Sequence, residues 1–148
     1  MRVSMPSADD SWLRITLDVP GVAPAEVVNA FVDPAAVRRW WGGAQLTVEE
    51  EVGGQYVVYF DRLDQTMRGT VTTLDAEAGR FGFTWAWDHE PELPARRVDV
   101  TVDDGAVLQL AQGEYDHTSR IDRDEARSHR EGWEFFLPKL VEAVEEQR

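Results

Sequence analysis

The sequence predicts an α+β domain in which one curved antiparallel sheet wraps a long C-terminal helix. Three observations predict it. Segments with period-two alternation of apolar residues follow one another through the middle of the chain, joined mostly by short turns, as antiparallel strands are. Two short helical patterns, each opened by a proline, separate the first strand from the others. The C-terminal segment carries one apolar stripe at helical spacing, and such a stripe must bury itself against the sheet's concave face.

Residues 1–10 read as a loose N-terminal tail and residues 11–148 as one domain. In residues 12–19, Leu13, Ile15, Leu17 and Val19 share one face, the mark of a half-buried strand. The PGVAP run breaks it, and Pro24 opens a short helix over 24–31. Asp33 and Pro34 restart the pattern as N-cap and first helical residue. This second helix puts Val37, Trp40 and Trp41 on one side, and Gly42 and Gly43 end it. Six strands follow over 44–52, 55–60, 67–75, 80–87, 96–102 and 106–115, which makes seven in all. The AEAG run turns the chain between the third and fourth of these, and Asp103-Asp104-Gly105 is a tight hairpin signal. The last helix is expected from about Arg123 to Glu146, started by a capping-box-like Asp122 and Glu125. Its stripe is Ala126, His129, Trp133, Phe136, Leu137, Leu140 and Val144. Pro138 deletes the bond to the Glu134 carbonyl, so a kink without a break is expected there.

Composition narrows the function. The 148 residues fit one domain, and no apolar run approaches the roughly 20 residues that span a bilayer. The N-terminus lacks the apolar core of a secretory signal. The absence of cysteine removes disulfides, thiolate metal sites and a cysteine nucleophile, and it suits a reducing cytoplasm, the expected location. A net charge of -13 repels phosphate backbones and acidic lipid surfaces, which argues against nucleic-acid and membrane partners. Disorder is excluded by 43% hydrophobic and 10% aromatic residues.

The motifs FVDPAAVRRWWGG, VGGQYVVYF, GTVTTLDAEAGRFGFTWAW and HREGWEFFLPKL occur in that order. Together they resemble the activator of heat-shock protein 90 ATPase homologue (AHSA1-like) family, over roughly residues 12–145. That family belongs to the START-like (SRPBCC), birch-pollen-allergen-like superfamily. The resemblance implies the helix-grip fold: a seven-stranded antiparallel sheet curled around the C-terminal helix, with two short helices closing one end. It also implies a hydrophobic or amphipathic small molecule held between sheet and helix, or a chaperone as partner. The sequence departs from the family at DDGAVLQL, at Pro138 and in QLAQGEYDHTSRID.

No chemical motif stands out. His89, His117 and His129 show no metal-ligand spacing, no serine sits in a nucleophile elbow, and no glycine-rich phosphate loop occurs, so neither metal nor cofactor is expected. His129 lies one helical turn before Trp133 and faces the sheet with it, where it either bonds a ligand, serves as a general base, or finds a protein partner. Alternation assigns Tyr56, Val58, Phe60, Val71, Phe81, Phe83, Trp85, Val98, Val100 and Leu110 to the inner sheet face. Such a face either fills its interior or lines an apolar cavity. In a helix-grip fold Trp40 and Trp41 plug one end, one as core and the other as a cavity wall. The candidate ligand site is therefore Trp40, Trp41, Tyr56, Val58, Phe83, Trp85, Val100, His129, Trp133 and Leu137, between sheet and long helix. Three functions compete: non-catalytic binding of a hydrophobic or aromatic small molecule, a cyclase- or dehydratase-type enzyme using His129, Tyr56 or Asp61, and a chaperone-interacting module. The first is preferred, because no catalytic motif is present.

Overall fold

Apolar alternation and helix caps place most of the secondary structure. A computed structural model describes residues 1–147. The elements in order are β1 (Arg2–Ser4), β2 (Leu13–Asp18), α1 (Pro24–Val32), α2 (Pro34–Trp40), β3 (Gln45–Val48), β4 (Gln55–Phe60), β5 (Gln65–Asp75), β6 (Arg80–Trp87), β7 (Arg96–Val102), β8 (Val107–Gly113) and α3 (Arg120–Glu146). The strands form one sheet in the order β1-β2-β8-β7-β6-β5-β4-β3, and every neighbouring pair is antiparallel. Among the described residues no helix is long and apolar enough to cross a membrane.

The local signals act as expected at several points. The Asp33 carboxylate accepts a hydrogen bond from the Ala35 N–H at 3.0 Å, which caps α2. Gly42 and Gly43 take φ of 65° and 75° just after α2, a conformation that side chains resist. Gly69 answers a different need. A Cβ there would lie 1.7 Å from the Thr84 carbonyl oxygen, so β5 and β6 can approach this closely only at a glycine.

Three expectations need correction. Residues 1–10 are not all loose: Val3 pairs with Ile15, and Val3 and Met5 pack half-buried on the core. A three-residue strand is too short for alternation to show. The sheet therefore has eight strands, one more than expected. The hairpin signal at 103–105 holds, since β7 and β8 pair across the four residues 103–106, with Ala106 at a positive φ of 60°. The long helix starts at Arg120, with the Ser119 hydroxyl accepting from the Asp122 N–H. Asp122 and Glu125 do not form a capping box, because with Ser119 as N-cap both lie inside the helix, where their carboxylates pair with the buried Arg96. Past Pro138 the helix runs on without a break.

The core lies between α3 and the sheet face that carries Tyr56, Val58, Phe81, Phe83, Val98 and Val100, all buried. α3 contributes Ala126, Trp133, Leu137, Leu140 and Val144 to it. Trp133 is 2% exposed, and its indole N–H donates to the Gln112 side-chain oxygen at 2.7 Å, which ties α3 to β8. Trp133→Ala is therefore expected to cost about 3–5 kcal/mol, the range of buried aromatic truncations. Urea melts of the two proteins check this, and a loss under about 1 kcal/mol would contradict it.

Candidate functional site

The interior between helix and sheet is filled at its centre and opens at one end into a groove of about 670 Å³. The packing sequence of the aromatic residues explains where it opens. Trp40 and Trp41 stack at 4.6 Å with planes 12° apart. The Trp40 N–H donates to the Ala30 carbonyl at 2.8 Å, so its ring is locked in the core. Trp41 is the next layer outward. Its ring lies 5.4 Å from Trp133 and 6.1 Å from Trp85, and Trp85 in turn lies 5.2 Å from His129. These four rings form the floor of the groove.

The floor is narrow. Trp41 and Trp133 are 2% exposed, Trp85 7% and His129 8%, so the groove reaches them by their edges. Its wider part is made by the rim: Arg38, Arg39, Gly42 and Gly43 at the end of α2, Arg62 and Leu63 between β4 and β5, and Gly132, Phe135, Phe136 and Lys139 on α3. Leu63 and Phe135 are among the most exposed apolar side chains of the described residues.

His129 is held by a buried chain of polar groups. The Tyr115 hydroxyl lies 2.6 Å from His129 Nδ1. Burial raises the phenol well above its ordinary range, so it stays protonated, and with no other acceptor for that proton among the described residues it donates to Nδ1. The imidazole then carries its own proton on Nε2. Burial, helped by the nearby Arg96 charge, lowers the His129 pKa to about 4, so the ring is neutral at physiological pH. Arg96 stands 4.5 Å over the Tyr115 ring and bonds Asp122 at 3.0 Å, Glu125 at 2.5 Å and the Glu114 carbonyl. Burial pushes the Glu125 carboxyl up, while Arg96 holds it down. The arrangement offers the groove aromatic edges and a neutral N–H donor.

Residues 22–145 match the family described as activator of Hsp90 ATPase homolog 1-like protein. The chain belongs to that family. No functionally curated protein matches it. Among solved structures, this AHSA1-like chain is similar to an AHSA1 protein from Silicibacter pomeroyi, at 24% identity and TM-score 0.70, covering 93% of this chain and 99% of that one. Protein MLL2253 from Mesorhizobium loti is similar at 15% identity and TM-score 0.76, covering 93% and 98%. The ginseng major latex-like protein 151 from Panax ginseng is similar at 13% identity and TM-score 0.69, covering 92% and 95%. The fold is thus the START-like helix grip, an architecture consistent with a ligand-cavity module.

The ten residues expected to line a site separate into two sets. Trp41, Trp85, His129 and Trp133 come together at the groove. Trp40, Tyr56, Val58, Phe83, Val100 and Leu137 do not line it; they are packed in the filled core behind it. Tyr56 is spent on structure, its hydroxyl donating to the Phe31 carbonyl at 2.6 Å. Alternation names a face but not a depth along it, so it could not separate these sets. Sequence reasoning missed Gly132, the rim cations and Tyr115. Gly132 left one signal, a glycine between His129 and Trp133 on an otherwise good helix.

The neutral His129 gives a pH dependence of stability. Its folded pKa of about 4 lies below the ordinary 6.5, so the unfolded chain binds the proton first as pH falls. Its contribution is complete above 6.5 and is lost as pH drops toward 4, by up to about 3 kcal/mol. In chemical melts, His129→Gln should be flatter than the native protein across that window, and equal slopes would refute the assignment.

Proposed function

We propose that this chain binds a hydrophobic or aromatic small molecule, without catalysis, in the groove floored by Trp41, Trp85, His129 and Trp133. The observation that carries this reading is the groove itself: an opening of about 670 Å³ whose floor is aromatic and drawn from the C-cap of α2, from β6 and from α3. Ligand sites are of this size and are apolar with few polar groups. A ligand ring would lie against the indole edges, and a ligand oxygen would accept from the Nε2–H of His129. The Trp85 N–H is buried without an acceptor among the described residues, so a second donor adjoins the floor.

Two facts favour binding over catalysis. A histidine with a pKa of about 4 is a weak base near neutral pH. The Tyr56 hydroxyl and the Asp61 carboxylate are each engaged within the protein, by Phe31 and by Gln45. The chaperone alternative rests on the family's name, and the exposed Leu63 and Phe135 that a partner would use belong to the groove rim. A cysteine-free chain keeps the cytoplasm as the proposed compartment.

Gly132 supplies the test. A Cβ built there meets nothing within 4 Å, so a larger side chain grows into the groove and not into the core. Gly132→Leu should stabilise α3 by about 0.5–1 kcal/mol, since glycine is a poor helix former. It should also weaken binding of the neutral probe N-phenylnaphthylamine about tenfold or more. The native protein should bind that probe saturably at one per chain and lose tryptophan fluorescence. Equal probe binding by the variant would place the site elsewhere, and no saturable binding to the native protein would refute the reading.

A further inference from the structure

The rim of the groove is oppositely charged to the rest of the molecule. Carboxylates outnumber Lys and Arg by 28 to 15, yet Arg38, Arg39, Arg62 and Lys139 line the groove and no Asp or Glu does. Among the other described arginines, most sit on carboxylates, Arg14, Arg68, Arg96, Arg97 and Arg130 among them, while Arg2, Arg80 and Arg123 pair with no acid and stand apart from the groove. Among the described residues, none of the four rim cations pairs with an acid. Lys139 instead holds its ammonium 4.7 Å over the exposed Phe135 ring, so charge and apolar surface adjoin. The four come from α2, the β4–β5 turn and α3, and converge only in the folded chain.

We propose that the ligand is an amphipathic organic anion: an apolar, ring-bearing body on the floor and a carboxylate, sulfonate or phosphate at the rim. This rests on the binding reading above. Guanidinium groups match such oxyanions with paired N–H donors. Exposed pairs are individually weak, each worth up to about fivefold in affinity, so discrimination needs several together. The remaining charge of the protein repels anions, but salt screens it beyond about 8 Å, whereas rim cations in contact with the bound head are screened far less. A neutral ligand gains nothing from them. An acidic membrane is the less suitable occupant, because a broad lipid surface cannot enter a groove to reach its floor and meets the whole molecule's net charge of -13.

The test compares two probes of one shape, anilinonaphthalene sulfonate and the uncharged N-phenylnaphthylamine, by fluorescence titration. The anion should bind about tenfold tighter at low salt, and about 0.5 M salt should erase most of the difference. The double variant Arg39→Gln with Arg62→Gln should lose about tenfold for the sulfonate and leave the neutral probe within about twofold. Arg80→Gln, an exposed cation away from the groove, should change neither. If the neutral probe binds one per chain and the sulfonate binds no tighter, the anion proposal falls while the binding reading stands. If neither probe binds saturably, both fall. Equal loss of both probes in the double variant, or co-sedimentation with phosphatidylserine vesicles that the variant abolishes, would also overturn it.

Discussion

A polar atom on a buried ring is costly unless it meets a partner, and apart from the Trp85 N–H at the groove floor the architecture follows from how those needs are met. The last turn of α1 leaves carbonyls without helical donors. Trp40 and Tyr56 supply them, through Ala30 and Phe31. Two hydrogen bonds therefore satisfy four groups that would each be costly to bury alone. They also fasten α1 to both α2 and β4. Trp133 does the same between α3 and β8 through Gln112. With Trp40 fixed inward, Trp41 stacks outside it and becomes floor. The choice of which tryptophan is core and which meets the groove is made by a helix-end carbonyl.

The Arg96 cluster sits one layer behind the groove and decides the chemical character of His129. A buried guanidinium demands partners, and it takes Asp122 and Glu125 from the first turns of α3. That contact orients the start of the helix and places Tyr115 beneath the guanidinium. Tyr115 then donates to His129, and the Arg96 charge disfavours a second positive group nearby. The outcome is an imidazole fixed in one tautomer and kept neutral. Full charge is confined to the rim, where water screens it, and the floor is left with hydrogen-bond donors only. The proposed ligand, with an apolar body on the floor and a charged head at the edge, would match that division.

Much of this fold was legible because its signals are local. Alternation named the inner-face residues, and Asp33, Pro34 and the Gly42-Gly43 pair bounded α2. The site was legible only in part. Val58 and Trp85 read alike by alternation, yet one is core and the other floor, since depth depends on where helices close the sheet. Arg96 read as one of two adjacent arginines on a strand, and its burial depends on carboxylates 26 and 29 residues away. Asp122 and Glu125 misled as a helix cap because the helix starts earlier, behind the Ser119 N-cap. β1 was hidden because pairing with β2, not its own pattern, makes it a strand.

The glycines around the groove have different causes. Gly42 and Gly43 hold positive φ, so the chain needs them to leave α2, and the space beside them is a by-product of that turn. Gly132 has no such need. It lies inside a regular helix, meets no neighbour that would forbid a side chain, and weakens the helix it occupies. Neither backbone geometry nor packing accounts for it. What its missing side chain does is leave the groove open between His129 and Trp133, the two floor residues that α3 supplies. A stability cost without a structural return, placed at an opening onto the aromatic floor, is what the proposed binding site would show.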